Sequence, residues 1–587
     1  NVVNSNVSKE GTINVQPEVK DVTSGSQPLN VGMRADQGSI LANGKGNTEV
    51  INSGNINVKG KHNIGMLANG NNITGIAQAI NEVTKIINIS SGSSLSGIDS
   101  LNGGNIENKG EINILSTAKN SIGIYVENGS TGTGTGNITV TGDGNTAIAN
   151  FGTFTQTGGT IDVSGKDSIG IYAKDATSDT LIKNSIVNAK DGAVAFYADG
   201  SVGNESTIKI DGVTSNIGDG GLLFFNYTGT GTGQVGKFNI LSSGMTANIL
   251  SGGVAFYNRG NIGSEANFLN MITGNLTLDM KPGSRLFVFD DPGITQNLST
   301  MPTSVVGTSV SNASGTGTIN IIGSDYKYTT GNKATLNIDQ NVNLDQVGDS
   351  YYKVDFFSSN VNVGIPSSSI MTNNGNPIAN SLKYAIAQKN SGTTPGSLVV
   401  DIKSSGQIRL TNQTGLVGVI TDRGTIINNG IVESSGESGI GLLGANGSIV
   451  TNNSSIIIGN GGAGIMGINV LPGGSIGNID LTNNGTISYA PTSSTILPSY
   501  GIVAKNDNYV SSVTTSNVTL GSGSLIDLSN NQESVGVYAS NSNIIDNGGD
   551  IKVGVKGIGM QLINPLSMSM TGGTITGSTT ASEAIGL

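Results

Sequence analysis

A short string built around Ile-Gly-Ile-Tyr recurs along this chain at regular intervals. It reads NSIGIYVENG at 120–129 and DSIGIYAKDA at 167–176, and weaker copies follow further along. The small residue of each string serves as a marker, and successive markers from Gly123 to Ala195 are spaced about 23–25 residues apart. A period of this length is typical of a solenoid, in which each repeat stacks on the next.

The markers continue through most of the chain, although their spacing varies. The intervals widen to about 28–32 residues between Ala195 and Phe287, and they shorten again between Gly418 and Gly464. A second string, Gly-x-Ile-x-Val/Ile, lies at a nearly constant distance before the marker, as GTIDV at 159–163 does before Gly170. Compositional bias alone does not keep two different strings at a nearly constant distance from each other. The pattern therefore predicts an ordered repeat protein rather than a disordered chain.

Both strings alternate apolar and polar positions, are rich in β-branched residues and are bounded by Gly, Asn and Asp, which indicates short strands. The intervals leave no room for a helix in every repeat. We therefore predict an all-β fold, a right-handed parallel β-helix solenoid with coils of about 23–32 residues. Asn residues at turns such as 107–111 and 482–486 are expected to stack into hydrogen-bonded ladders.

The middle of the chain is less regular than its two ends. Markers fade between Phe287 and Gly418, and six of the twelve prolines lie in or beside this stretch. The predicted organisation is β-helix coils over 1–290, irregular or insertion-bearing coils over 291–415 and further β-helix coils over 416–587. Because the strand pattern starts near one end and a marker lies at the other, the chain is expected to continue beyond both ends.

One segment of the middle region has a helical pattern. Ile378, Leu382 and Ile386 lie at i, i+4 and i+8, with Pro377 close to the start. This spacing predicts a short helix near 377–389.

The composition excludes several classes of function. With 29 basic and 40 acidic residues the net charge is −11, and no basic patch is visible, which argues against nucleic acid or an anionic membrane as partner. The chain has no Cys, so disulfides and thiolate chemistry are excluded. No apolar run is long enough to span a membrane, so the chain is not expected to be embedded in one.

Catalytic and metal sites have few of the residues they need. His62 is the only histidine, so nucleophile–base pairs lack partners. Asp290 and Asp291 in FDDPG are a carboxylate pair that a β-helix polysaccharide hydrolase could use, but the same string is typical of a turn. We therefore predict no enzyme activity, no metal site and no cofactor, and keep a polysaccharide-degrading enzyme as the less favoured alternative.

Aromatic residues recur two positions after the markers. Strand alternation predicts Ile122 and Ile124 inside, and Gly123 and Tyr125 outside. The favoured interpretation is that each ring stacks on the ring of the next coil, and the alternative is a solvent-facing stripe for sugars or a protein partner. Together with the aspartates and two aromatic clusters of the middle region, the candidate ligand contacts are Tyr125, Tyr172, Tyr197, Tyr257, Asp290, Asp291, Tyr326, Tyr328, Tyr351 and Tyr352.

The strings SIGIYVENG and SIGIYAKDA, with INSGNINV at 51–58 and TNNGTISY at 482–489, resemble the β-helical passenger regions of the large fusobacterial type V autotransporter adhesins. The resemblance covers about 30–290 and 415–587 and carries no binding motif. It implies a protein displayed at the bacterial cell surface and tethered to the outer membrane by a barrel outside this chain.

The function implied by the resemblance is attachment to host cells and to other bacteria, through receptor proteins or glycans, by a monomeric rod. Several alternatives have similar sequence features. They are a structural stalk or spacer, a biofilm matrix or surface-layer rod, a trimeric autotransporter head, whose repeat is shorter, and a phage tailspike, which carries catalytic carboxylates.

Overall fold

The structure is a computed structural model, and the chain forms two compact units in it. Unit 1 comprises residues 1–287 and 308–326, and unit 2 comprises residues 288–307 and 327–587. The structure describes residues 7–9, 11–15, 30–36, 48–70, 77–201, 203–233, 235–263, 266–298, 309–311, 317–323, 326–344, 354–365, 368–373, 384–390, 396–411, 413–469, 477–491, 497–506, 515–578 and 585–586.

Successive coils of unit 1 add one strand to each of three parallel sheets, which are numbered in the order in which the chain enters them. Sheet 1 contains Val7–Lys9, Thr48–Asn52, Ala77–Asn81, Asn105–Asn108, Thr131–Gly134, Thr153–Thr157, Asp179–Lys183, Ser206–Asp211, Gly236–Ile240 and Ile272–Thr273. Sheet 2 contains Thr12–Val15, Asn55–Lys61, Ile86–Ser93, Glu111–Ile114, Ala118–Lys119, Ile138–Val140, Thr160–Ser164, Ile186–Lys190, Val213–Ile217, Met245–Ile249, Leu276–Met280, Thr318–Gly323 and the antiparallel Ser309–Ser311. Sheet 3 contains Val31–Asp36, Ile64–Asn69, Ser96–Leu101, Ile122–Val126, Thr146–Asn150, Ile169–Lys174, Val194–Asp199, Leu222–Thr232 and Val254–Asn261.

Among the described residues, a helix and a further strand are not included in the three sheet lists above. The helix Ala266–Asn270 lies between the last strand of sheet 3 and the last strand of sheet 1. The strand Arg285–Asp290 contains the point in the sequence where unit 1 gives way to unit 2.

Unit 2 has the same three-strand order, and its sheets are numbered 4 to 6. Sheet 4 contains Thr295–Leu298, Thr335–Ile338, Asn360–Val363, Val399–Ile402, Thr425–Asn428, Ile449–Asn452, Ile479–Asn483, Ser516–Leu520, Ser542–Asn547 and Ser567–Gly572. Sheet 5 contains Val342–Asn343, Ser369–Asn373, Gly406–Leu410, Ile431–Ser434, Ser455–Ile458, Thr486–Tyr489, Leu525–Leu528, Asp550–Val553 and Ile575–Gly577. Sheet 6 contains Lys327–Asn332, Val354–Phe357, Tyr384–Lys389, Val417–Asp422, Ile440–Ala445, Ala463–Ile468, Tyr500–Lys505, Val535–Ser540 and Ile558–Ile563.

The strand register confirms the repeat that the sequence markers predict. In sheet 3, Thr146 pairs with Ile122 on one side and with Ile169 on the other. In sheet 6, Ile440 pairs with Ala463. Each of these residues directly precedes a marker in the sequence, so neighbouring coils are offset by one marker interval. Each marker therefore corresponds to one coil of a parallel β-helix.

The core consists of ladders of inward-facing apolar side chains. On sheet 3, Ile124, Ile148, Ile171 and Phe196 are successive register partners, and each is 0% exposed. Burying one such side chain stabilises the folded state by about 1.5–3 kcal/mol relative to leaving it exposed. The regular placement of Ile and Val in the sequence therefore reflects the stacking of identical coil positions.

The marker residue does not point outward as simple alternation predicts. Gly123 and Ile124 are both buried, whereas Ile122 is half-buried, so the alternation breaks at the marker. A Cβ atom on Gly123 would lie 2.6 Å from the carbonyl oxygen of Ala147 on the next coil. The predicted outward position of Gly123 is therefore wrong, and the marker is small because the backbone of the next coil passes directly beside it.

Asparagine ladders form at the predicted turns. Asn52 Nδ2 donates to Asn81 Oδ1 at 2.7 Å, and Asn81 Nδ2 donates to Asn108 Oδ1 at 2.8 Å. All three side chains are at most 1% exposed. A second buried ladder in unit 2 joins Asn428, Asn452 and Asn483. These ladders satisfy polar groups that would otherwise be costly to bury at the corner of each coil.

The short helix predicted near 377–389 is wrong in the part that the structure describes. Tyr384–Lys389 is a strand, and it pairs in parallel with Val417–Asp422. Ile386 is 0% exposed and pairs with Val419, so it belongs to the inward ladder of sheet 6. Pairing with neighbouring coils outweighs the local helical spacing. Residues 377–383 lie outside the described residues, and irregular coils over 291–415 stay a prediction.

Candidate functional site

Six aromatic side chains follow one another along the outward face of sheet 3. Four of them, Tyr172, Tyr197, Phe225 and Tyr257, are successive register partners on neighbouring strands. Because strand residues alternate between faces, the same register position presents its side chain on the same face in every coil. We call this set the aromatic row, and its members are Tyr125, Phe151, Tyr172, Tyr197, Phe225 and Tyr257.

Phe151 is the member of the row that the sequence pattern missed. The register position between Tyr125 and Tyr172 is held by Ala149, which is too small to contact either ring. Phe151 follows Ala149 by two residues, and its ring lies 5.4 Å from that of Tyr125 and 5.9 Å from that of Tyr172. The position two residues after the marker Ala147 is Ala149, so the marker spacing alone does not reveal Phe151. An aromatic residue within two positions of Ala149 is the sequence signal that identifies it.

The rings of the row stack from coil to coil and also remain partly exposed. Successive ring centroids are 5.4, 5.9, 5.3, 4.9 and 5.7 Å apart, within the range in which aromatic pairs attract. All six side chains are half-buried. The sequence favours coil-to-coil stacking of these rings and leaves a solvent-facing stripe as the alternative. Both descriptions fit this row, because each ring contacts the next and is also partly exposed.

Two of the four hydroxyl groups of the row lie beside the same carboxylate, that of Asp199. Tyr172 Oη donates to Asp199 Oδ2 at 2.6 Å. Burial, and then the nearby Asp199, raise the pKa values of Tyr172 and Tyr197 well above the ordinary tyrosine value. Both hydroxyls therefore stay protonated at physiological pH, and the row presents neutral rings with fixed polar edges.

A buried carboxylate holds the same register position one coil before Tyr125. Asp99 pairs with Tyr125 in the sheet register and is only 7% exposed. The hydroxyl of Ser96 donates a hydrogen bond to Asp99 Oδ1. Burial raises the pKa of Asp99 to about 7, partly offset by the hydrogen bond from Ser96. This group therefore changes its charge near neutral pH, immediately beside the N-terminal end of the row.

An exposed aromatic–cation pair lies at the other end of the row. Tyr227 and Arg259 are register partners and follow Phe225 and Tyr257 by two residues each, so they share the outward face. Both side chains are exposed, and the guanidinium carbon of Arg259 lies 5.9 Å from the ring centroid of Tyr227. We call this pair the Tyr227–Arg259 corner. The sequence analysis missed it because neither residue lies at the marker-plus-two position.

Two predicted contacts of the middle region are wrong. Tyr326 and Tyr328 are 0% and 1% exposed, so neither can contact a ligand at the surface. Their large rings fill the interior, as aromatic side chains commonly do in a packed core. Tyr351 and Tyr352 lie outside the described residues.

The two adjacent aspartates lie at a turn. Asp290 ends its strand and forms an isolated antiparallel bridge with Lys333. Asp291 Oδ1 accepts a hydrogen bond from the backbone N–H of Gly293 at 2.8 Å, which is the local bond of an Asx turn. Both carboxylates are half-buried. As candidate ligand contacts they remain predictions, and they lie apart from the aromatic row in the sequence.

Two grooves lie on the outward faces of other sheets. A groove of about 450 Å³ in unit 1 runs over sheet 2, where Asp162 and Asn188 line it. Their side chains already bond to one another, with Asn188 Nδ2 donating to Asp162 Oδ1 at 2.5 Å. A groove of about 430 Å³ in unit 2 lies on sheet 6, between Tyr500 and Tyr538. The aromatic row is longer than either groove.

Among the described residues, no three His, Asp or Glu side chains come close enough together to bind a metal ion. His62 is half-buried at a coil corner, where its backbone has a φ of 58°. No helix in the described part of the chain has the length and apolar character needed to cross a membrane.

No family model, curated protein or solved structure matches this chain at a significant level.

Proposed function

We propose that this chain is the adhesive part of a bacterial cell-surface protein of the autotransporter type, and that it attaches to glycans of host cells or of other bacteria through the aromatic row. The observation that carries the proposal is the continuous file of six half-buried rings on the outward face of sheet 3. The parallel β-helix fold and the repeated Ser-Ile-Gly-Ile-Tyr strings support the cell-surface location, through the resemblance described above.

The geometry of the row suits a sugar chain. Aromatic rings bind the apolar face of a sugar ring, while their hydroxyls offer hydrogen bonds at the edge. Adjacent coils place one ring after another at centroid distances of 4.9 to 5.9 Å, so the surface is a track rather than a pocket. A track of this kind is matched to an extended chain of repeating units.

The surroundings of the row favour a glycan over a protein partner. Charged residues follow four members of the row by two positions each, and they are Glu127, Lys174, Asp199 and Arg259. A stable protein–protein interface buries about 800 Å² on each partner, and its centre is depleted in charged residues. A narrow aromatic file flanked by charges does not offer such a centre.

A glycan array with the purified chain tests the proposal. We expect binding to a defined set of oligosaccharides, and loss of that binding in a Tyr197→Ala, Tyr257→Ala double variant. The matched control is Tyr500→Ala, Tyr538→Ala, which removes two outward tyrosines from sheet 6 of unit 2. Circular dichroism spectra and thermal unfolding establish that each variant is folded.

Three results would contradict the proposal. Equal loss in both double variants would mean that the row has no special part in recognition. Binding to receptor proteins but to no glycan would replace the sugar with a protein partner. A folded chain that binds nothing would make it a structural spacer, which is the alternative function.

A further inference from the structure

We propose that the Tyr227–Arg259 corner makes the aromatic row selective for carboxylated sugars. This inference rests on the proposed sugar-binding function of the row and names the substrate class. Arg259 would bind the carboxylate of an acidic sugar residue, while Tyr227 and Tyr257 contact the sugar ring.

The charge of Arg259 is available to a ligand. Arg34 and Arg409 each form an ion pair at 2.6 Å, with Asp36 and Glu433 respectively. Arg259 forms no ion pair with any carboxylate in the described part of the chain, and its side chain is exposed. In a protein with a net charge of −11, an exposed guanidinium without a carboxylate partner stands out as a local site for an anion.

The acidic residue that precedes the corner in the same outward column is already engaged. Asp199 lies two residues after Tyr197, and Tyr227 lies two residues after Phe225, the register partner of Tyr197. Asp199 therefore belongs to the outward column that contains the corner, one coil before Tyr227. Its carboxylate accepts a hydrogen bond from Tyr172 Oη, which belongs to the coil before its own.

The backbone beneath the corner is fixed by two buried asparagines. Asn226 and Asn258, which directly precede Tyr227 and Arg259, are 0% and 1% exposed. Asn226 Nδ2 donates to Asn258 Oδ1 at 2.6 Å. The strand register shifts between Tyr227 and Thr232, so the regular pairing of the two strands ends directly after the corner. The corner is therefore held in place before a ligand arrives, which lowers the entropy cost of binding.

The chemistry of the pair matches a carboxylated sugar in particular. A guanidinium presents a planar fork that fits a carboxylate with two parallel hydrogen bonds. Stacking on Tyr227 orients this fork while leaving its N–H groups at the edge. A pyranose that carries a carboxylate offers both an apolar face for the rings and an anion for the fork. The neutral sugar of the same shape offers only the first.

The experiment measures binding of the full chain to matched pairs of oligosaccharides by calorimetry and on an array. The pairs are 3′-sialyllactose with its neutral methyl ester, and galacturonic acid oligomers with galactose oligomers. A third arm uses 3′-sulfated lactose. We expect the carboxylated member to bind about tenfold tighter than the neutral one, which corresponds to about 1.4 kcal/mol for the added charge-assisted fork. Sulfated lactose should bind more weakly than sialyllactose, because it offers the fork an anion without the additional carboxylated ring that the aromatic side chains would contact.

The variants separate this inference from the function on which it rests. Arg259→Gln should abolish the difference within each pair, with the loss of affinity falling on the carboxylated member. Lys174→Gln, which removes a cation from the same outward column, is the matched control and should keep the difference. Arg259→Lys keeps the positive charge but lacks the planar fork, so it should show only part of the wild-type difference in affinity between the two members of a pair.

Each contrary result has a distinct meaning. If the wild-type chain binds neutral and carboxylated sugars equally, or if sulfated lactose binds as tightly as sialyllactose, this inference fails while the proposed function stands. If Arg259→Gln weakens both members of a pair equally, Arg259 supports the row and does not select the ligand. If no sugar of either kind binds the folded wild-type chain, the proposed function itself fails.

Discussion

The outward faces of sheets 3 and 6 occupy the same position in the coils of their units but carry different side chains. In unit 1 the register column contains Tyr172, Tyr197, Phe225 and Tyr257. In unit 2 the equivalent column contains Ile420, Leu443, Met466, Val503 and Tyr538. The adjoining marker is Gly or another small residue in most coils of both units. The two faces thus share a backbone arrangement and differ in surface chemistry.

This difference separates what the fold requires from what a ligand would require. Aliphatic side chains cover the face of sheet 6 well, since Leu443 and Val503 are only 7% and 8% exposed. Aromatic rings are therefore not needed to stack one coil on the next. Coil stacking therefore does not explain why half-buried aromatic rings are concentrated in unit 1. The proposed binding of sugars would explain it.

The same comparison can be made for carboxylates in this column. Asp99 of unit 1 is buried beside the row, with Ser96 as its hydrogen-bond donor. Asp355 of unit 2 forms an ion pair with Lys327 at 2.6 Å and accepts a hydrogen bond from Tyr384 Oη at 2.7 Å. Lys327 therefore compensates the charge of Asp355, whereas no Lys or Arg of the described residues forms an ion pair with Asp99.

The largest effect that we predict is the pH dependence caused by Asp99. Its pKa is about 7 in the folded state against an ordinary value of 3.8, so the folded state binds the proton more tightly than the unfolded state. The contribution of Asp99 to the free energy of unfolding is therefore greatest below about pH 4 and falls as the pH rises towards about 7. Above about pH 7 the free energy of unfolding is lower by roughly 4 kcal/mol than below pH 4.

Asp99→Asn should remove this decline and be the more stable protein at pH 8, as measured by chemical denaturation between pH 4 and 8. The matched control Asp355→Asn should lose stability at pH 7, because it leaves Lys327 without its partner. A pH profile of Asp99→Asn that is identical to the wild type would show that the carboxyl is not buried as described.

The second prediction concerns the marker glycines. A Cβ on Gly536 would overlap Ile551 Cγ2 and would lie 2.5 Å from the carbonyl oxygen of Gly559. A Cβ on Gly170 would lie 2.8 Å from the oxygen of Ala195 and 3.4 Å from Val163. We therefore expect Gly536→Ala to cost about 3 kcal/mol in urea unfolding, and Gly170→Ala to cost less, about 1–2 kcal/mol.

Natural alanines at the marker position support this asymmetry. Ala147, Ala195 and Ala255 hold it in unit 1, so the coils there have room for a methyl group. If both variants lower the free energy of unfolding equally, the coils around Gly536 relax as easily as those around Gly170. The shorter Cβ distances at Gly536 would then have no effect on stability.

The third prediction uses a feature that the two units share. Asn452 donates to Asn483 and accepts from Asn428, both at 2.8 Å, in the buried ladder of unit 2. Asn452→Ala removes the donor to Asn483 Oδ1 and one of the two acceptors of Asn428 Nδ2, and should cost about 2 kcal/mol in urea unfolding. Asn81→Ala in unit 1 should cost a similar amount, because Asn81 has the same two kinds of partner.

The control for the ladder is its exposed neighbour. Asn453 Nδ2 donates to Asn429 Oδ1 at 3.0 Å, but the side chain is exposed. Water replaces this bond, so Asn453→Ala should cost less than about 0.5 kcal/mol. If Asn452→Ala and Asn453→Ala lower the free energy of unfolding by the same amount, then burial does not make the inner ladder more stabilising than the exposed one.

The fold could be predicted from the sequence because every coil must present the same positions to its neighbours. The interval from Gly441 to Gly464 is visible in the sequence, and the register reproduces it, since Ile440 pairs with Ala463. The ladder at Asn483 follows from the same reasoning. Stacking converts a one-dimensional period directly into a three-dimensional contact.

The features that could not be predicted depend on departures from the period. Phe151 fills the gap at Ala149 because its ring reaches back, which spacing alone does not reveal. Tyr384–Lys389 has helical spacing yet is a strand, because its neighbours in sheet 6 decide its conformation. The burial of Tyr328 is a property of the assembled coil and is absent from the local sequence.

The most direct test of the comparison comes from giving unit 1 the surface of unit 2. Replacing Tyr172, Tyr197 and Tyr257 by Ile, Leu and Met copies the side-chain types of sheet 6 onto sheet 3. The replacement removes four ring contacts, each worth about 0.5–1.5 kcal/mol, and the aliphatic side chains recover part of this by covering the coil edges, so the net cost in urea unfolding should be about 2 kcal/mol. Glycan binding on the array should be lost. Met466→Leu in sheet 6 is the control and should change neither measurement. A large loss of stability in the triple variant would show that the rings are required for stacking coils in unit 1, and the argument from the two faces to a sugar-binding row would fail.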